Sequence, residues 1–117
     1  MPGSNIASID NLQLSNAAQT AYTTPANTKS VIQKLTATSQ EASAARLLTI
    51  YKVPAGDVAG AAYIIVYKMS IPPGANGSGI TDIPGMVNQV LEAGTTLQAV
   101  LDSGTTVYLN GSLLETS

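Results

Sequence analysis

The sequence predicts an all-β protein: a single antiparallel β-sandwich of jelly-roll type with an extended N-terminal arm. Three observations carry that expectation. Apolar and polar residues alternate with a period of two along several runs, as they do in strands with one buried face. Clusters of Gly, Pro, Asn and Asp separate those runs at short intervals, which suits the seven to nine strands of a sandwich. No long run keeps the 3.6-residue spacing of a helix, so helix is limited to a turn or two.

Residues 1–27 hold isolated apolar side chains (Ile6, Ile9, Leu12, Leu14) among Ser, Asn, Gln and Ala. Without a sustained period they read as an arm, with at most short strands near Leu12–Leu14 and Gln19–Thr23. Pro25-Ala26-Asn27 is a turn signal that closes the arm and sets the sandwich domain at 28–117. From Lys29, the residues Val31, Gln33, Leu35 and Ala37 alternate with Ile32, Lys34, Thr36 and Thr38, a strand with one more apolar face. Ser39–Ala45 reads as a hairpin loop. Arg46–Val53 is the next strand, ended by Pro54, which cannot donate to a ladder.

Tyr63–Ile71 is the strongest β run, with Ile65, Tyr67, Met69 and Ile71 expected on one face and Lys68 on the wetter one. Pro72-Pro73-Gly74 breaks it, and Gly74–Gly79 is a loop. Ile80–Met86 reads as a short strand interrupted by Pro84, and Val87–Leu91 as either a helical turn or a strand, ended by Gly94. Thr95–Leu101, Thr105–Leu109 and Ser112–Thr116 are three more strands, joined at Asp102-Ser103-Gly104 and Asn110-Gly111. Asn-Gly between alternating runs signals a two-residue hairpin, because both central residues of a type I′ turn need positive φ.

Composition then limits function. The 117 residues include no His, Cys, Trp or Phe, and only 10% are charged. Most side chains that move protons, attack carbonyls or hold metals are therefore missing, and no catalytic, cofactor-binding or metal-ligating residue is assigned. The Gly74–Gly79 segment lacks the Gly-Lys-Ser/Thr ending and the helix of a phosphate loop. Asp10, Glu41, Asp57, Asp82, Glu92, Asp102 and Glu115 fall mostly in turns, where Asp caps the backbone, and none lies in a calcium-loop pattern. Ser and Thr have no His base, and no lysine stands in a Ser-x-x-Lys spacing. Asn76-Gly77-Ser78 and Asn110-Gly111-Ser112 match the glycosylation pattern but read as turns.

A net charge of −2 without a basic patch argues against nucleic acid, and no apolar run is long enough to span a bilayer. Met1–Ile6 has no signal-peptide character, so synthesis in the host cytoplasm is expected. What remains is contact. A core built from Ile, Leu, Val, Met, Ala and five Tyr is thin, and oligomerisation would add burial. An uncharged polar surface costs less to bury than unpaired ions do. The tyrosines Tyr22, Tyr51, Tyr63, Tyr67 and Tyr108 suit strand packing, interfaces or the stacking of sugar rings.

Four segments add a resemblance: Tyr22–Thr38 (with Pro25-Ala26-Asn27-Thr28 and Val31-Ile32), Leu48–Gly56, Ser70–Gly74 and Gln89–Ala99. Together they resemble small structural proteins of tailed bacteriophage virions, over about Tyr22 to Ala99. Thr95 departs from that pattern, where Asp is commoner, at a turn that carries no chemistry. The resemblance implies a non-enzymatic capsid decoration (cement) protein, homotrimeric and bound to the major capsid protein at the virion surface, with no small-molecule substrate. Ile6, Ile9, Leu12, Leu14 and Tyr22 are the expected partner-contact residues, since an arm can add a strand to a neighbour's sheet edge. The alternative is a carbohydrate-binding or tail-fibre adhesin module on the same sandwich.

Overall fold

The computed structural model describes residues 3–41, 44–74 and 80–117. Most of the expected Gly74–Gly79 loop, two residues of the Ser39–Ala45 loop and the Asn76-Gly77-Ser78 pattern lie outside them.

Among the described residues, nine strands form two antiparallel sheets: β1 (Ser4–Gln13), β2 (Gln19–Thr23), β3 (Lys29–Ser39), β4 (Arg46–Val53), β5 (Ile64–Ile71), β6 (Ile80–Asp82), β7 (Val90–Leu91), β8 (Thr96–Leu101) and β9 (Val107–Thr116). One sheet runs β1-β9-β3-β6, with β7 also pairing to β3; the other runs β2-β8-β4-β5. The chain crosses between the sheets at nearly every connection, and only β4 and β5 are consecutive neighbours within one sheet. That is the double-sheet jelly roll, in which two interlocked Greek keys close around one core. The alternation of the sequence is satisfied on both inner faces. Ile32, Leu35, Ala37, Leu109 and Leu113 from one sheet meet Leu48, Ile50, Leu97, Ala99 and Leu101 from the other, all buried. Each Leu or Ile among them removed from water contributes about 1.5–3 kcal/mol before entropy is counted.

Ser4, Thr23, Lys29 and Thr116 lie at one end of the sandwich, called here the terminal end; Gln13, Ser39, Arg46 and Val107 lie at the distal end.

The first 27 residues are not a free arm. β1 pairs with β9 from Ser4↔Thr116 to Gln13↔Tyr108, and β2 pairs with β8 from Gln19↔Ala99 to Thr23↔Thr96. A bulge hides this in the sequence: Ile9 pairs with Gly111 and Leu12 with Leu109, so two residues of β1 face one of β9. Asn11 takes φ 49°, and its backbone N–H donates to Asn110 Oδ1 at 2.8 Å.

The expected Asn110-Gly111 hairpin is absent too. β9 runs unbroken through both residues. Gly111 does not take the left-handed conformation an I′ turn requires, and its role is space: a Cβ there would lie 2.6 Å from the Lys34 carbonyl oxygen. On β5 a second bulge places Tyr67 and Lys68 opposite Thr49. Lys68 takes φ 50°, and its N–H donates to Thr49 Oγ1 at 3.2 Å. Tyr67 is consequently turned out, 65% exposed, while Ile65 and Met69 stay against the core. The ambiguous Val87–Leu91 stretch ends in β7, following a 3-10 turn at Pro84–Met86.

Candidate functional site

Two polar clusters pin the ends of the sandwich, and an apolar row crosses the outside of one sheet.

The terminal cluster lies between the sheets. Tyr22 on β2 and Ser30 and Glu115 on the opposite sheet face inward: the Tyr22 hydroxyl donates to Glu115 Oε2 and lies 2.6 Å from Ser30 Oγ. Asn5 Nδ2 donates to the other carboxylate oxygen at 3.3 Å. Burial and the neighbouring Glu115 carboxylate push the Tyr22 phenol up to about 12, so it stays a neutral donor at every physiological pH. A shallow hollow beside this cluster is lined by Gly3, Ser4, Pro25, Thr28 and Ser117.

The distal cluster joins loops. Arg46 Nη2 lies 3.0 Å from Glu41 Oε2, Thr106 Oγ1 donates to the same oxygen at 2.7 Å, and Arg46 Nη1 donates to Ser103 Oγ at 2.7 Å. The Thr106 hydroxyl and then the Arg46 guanidinium hold the Glu41 carboxyl below its ordinary range. The Glu41 carboxylate, the Arg46 guanidinium and the Ser103 and Thr106 hydroxyls are engaged with one another. Among the described residues no group of three His, Cys, Asp or Glu stands close enough to hold a metal ion, and no helix is long and apolar enough to cross a membrane.

The five residues expected to contact a partner separate into three positions. Ile9 and Leu14 are buried in this chain's own core, and Leu12 is half-buried against it. Tyr22 belongs to the terminal cluster. Ile6 alone is open, 67% exposed on the outer face of β1. The physical reason is pairing. β1 is held along its length by β9, and its inward side chains fill this chain's own core.

Ile6 has company that the sequence does not reveal. It pairs with Leu114, Leu114 with Val31, and Val31 with Val90. Direct cross-strand partners point to the same face. Four apolar side chains from β1, β9, β3 and β7 therefore stand in one line across the outside of the sheet. Sequence reasoning missed Val31, Val90 and Leu114, because register between distant strands leaves no mark in local alternation.

No protein-family model matches the chain, and no curated protein sequence does either. Solved structures do match. The chain is similar to a chain of the infectious bursal disease viral particle (TM-score 0.58, 13% identity, covering 98% of this chain and 31% of that one). It is also similar to the T=1 particles derived from that virus (TM-score 0.53, 14% identity, 98% and 31% covered). The VP2 subviral particle of infectious bursal disease virus matches as well (TM-score 0.51, 15% identity, 98% and 32% covered). At these identities the likeness shows the fold: a two-sheet sandwich of the kind found in viral shells. The chain spans about a third of the length of the chains it matches.

Proposed function

We propose that the chain is a non-enzymatic structural component of a virion, and more specifically a decoration protein that binds and stabilises the head shell of a tailed bacteriophage. The observation that carries this reading is the jelly roll itself, alike over 98% of its length to a chain of an icosahedral virus particle. The phage-like segments quoted above narrow it to a decoration role. The partner is the major capsid protein. The chain is made in the host cytoplasm and ends on the capsid surface as an oligomer, in which joined copies grip the shell with the effective concentration each lends the others.

The test is quantitative mass spectrometry of purified particles from cells that make the chain, with antibody labelling of intact particles. The chain is expected in a fixed ratio to the main shell protein and within reach of antibody. Its absence from purified particles overturns the reading.

A second reading has one specific observation behind it. Tyr67 is turned out of the sheet by the β5 bulge with Lys68 Nζ 5.2 Å from its ring, and Tyr63 donates to Asp57 at 2.8 Å in the preceding loop. An open tyrosine next to polar groups suits a sugar ring, and jelly rolls also build lectins. Glycan-array binding that Tyr67→Ala abolishes would favour this module over a decoration protein.

A further inference from the structure

We propose that the outer face of the β1-β9-β3-β7 sheet is the surface through which this chain binds a second copy of itself. The inference stands whichever particle the chain joins. It starts from the line of Ile6, Leu114, Val31 and Val90, each the direct cross-strand partner of the next. Three inter-strand steps make the line about 15 Å long. Its two ends are the most open members, Ile6 at 67% and Val90 at 40% exposure. Single exposed apolar residues are ordinary on a protein surface, whereas a contiguous line of four marks a contact surface.

Three features select a second copy as that cover. The first is charge. Lys29 on this face is paired with Glu92 at 3.8 Å, and Lys34 stands between hollows that also hold Asp82 on one side and Asp10 on the other. A face so nearly balanced offers no gain to a strongly basic or acidic partner and meets its own copy without like-charge repulsion.

The second is area. β1, β9 and β3, ten or eleven residues long and three abreast, present about 34 by 14 Å, and the short β7 and β6 beside them bring the face to roughly 550 Å² per copy. Two such faces bury about 1,100 Å² in total, above the roughly 1,000 Å² that a specific interface needs.

The third is self-fit. Turning a second copy about an axis parallel to the strands lays Ile6 over Val90 of that copy and Leu114 over its Val31. Both ends of the line are β-branched, so each contact is repeated with the roles exchanged, as an isologous interface requires. Sheets facing this way pack about 10 Å apart, with side chains interleaved.

The test is mass by light scattering on the full chain, as it is and with Ile6→Lys and Val90→Lys together. Both sites are solvent-exposed, so the fold is expected to survive; far-UV circular dichroism checks it, and Ile6→Ser with Val90→Thr replaces the pair if it does not. The expected result is a mass of two copies falling to one in the double variant, with Gln98→Lys on the opposite sheet leaving it at two. A mass of three copies overturns this proposal, because contacts around a threefold axis are heterologous and cannot lay Ile6 over Val90 in both directions. A single-copy mass up to the solubility limit overturns the proposal, as does an oligomer the double variant leaves intact. Either result is read independently of whether the chain is found in purified particles.

Discussion

The two ends of the sandwich are held by different chemistry. At the terminal end the cluster is internal: the Tyr22 phenol, itself held by the Ser30 hydroxyl, and the Asn5 amide clasp the Glu115 carboxylate between opposite sheets. At the distal end it is peripheral: the Arg46–Glu41 ion pair ties the β3–β4 loop to the β8–β9 loop through Ser103 and Thr106, while Gly74 N–H donates to the Glu41 carbonyl at 3.1 Å. The terminal cluster therefore fixes how the sheets sit on each other, and the distal cluster fixes how loops sit on the sheets. A neutral donor facing a carboxylate tolerates acid better than an ion pair does, and alkali worse. The difference can be tested by substitution and by pH.

The largest expected effect is at the terminal end. Gly94 takes φ +80°, and a Cβ there would lie 2.8 Å from the Ala55 Cβ in the facing loop. Gly94→Ala combines strain with overpacking and is expected to cost about 2–3 kcal/mol by urea denaturation. Next comes Arg46→Met, which keeps the stem and removes the charge, leaving Glu41 and Ser103 short of a donor. A loss of about 1.5 kcal/mol is expected, seen as a lower denaturation midpoint with unchanged slope. Tyr22→Phe removes one donor from Glu115 and should cost about 1 kcal/mol on the same measurement. Lys29→Met breaks only an exposed ion pair, and a change below about 0.5 kcal/mol is expected.

Titration sharpens the contrast. Glu41 has a lowered folded-state pKa, so its contribution is full above the unfolded carboxylate value and disappears as pH falls through the folded one. Tyr22 has a raised one, so its contribution is full below 10 and disappears as pH climbs towards about 12. Melting curves across pH should show an acid-side loss blunted by Arg46→Met and an alkaline-side loss blunted by Tyr22→Phe. If each variant blunts the other's limb, the two ends have been assigned the wrong way round.

Much of this architecture was legible in the residues. The Arg46–Val53 strand and the Gln19–Thr23 strand stand where the turn signals put them, Pro54 closing the first and Pro25-Ala26-Asn27 the second. β1 was illegible for a definable reason. Its inward residues run Ala7, Ile9, then Leu12 and Leu14, so the period of two slips by one at the Asp10–Asn11 bulge. What read as an unpatterned arm is a strand with a phase jump. The same arithmetic misplaced Tyr67, whose inward turn was cancelled by the bulge at Lys68. Asn110-Gly111 misled in the opposite direction: a strong local signal yielded to the pairing of β9 with β1 on one side and β3 on the other, and the glycine serves the close approach of the Lys34 carbonyl. The apolar line on the outer face was beyond reach, since its four members come from strands up to 108 positions apart, as Ile6 and Leu114 are (114 − 6 = 108), and meet only through register.

One feature of the pairing has a mechanical meaning. The first and last strands lie side by side and antiparallel, with Ser117 N–H donating to the Gly3 carbonyl at 3.0 Å. A pull that separates the two termini therefore loads the β1–β9 ladder at one edge and opens its hydrogen bonds one after another, as a zip opens, and not all at once in shear. The sandwich resists tension least along the line joining its own ends. Anchored at one terminus and tugged at the other, it would shed β1 first, while a load spread across the sheet faces would meet the whole core together.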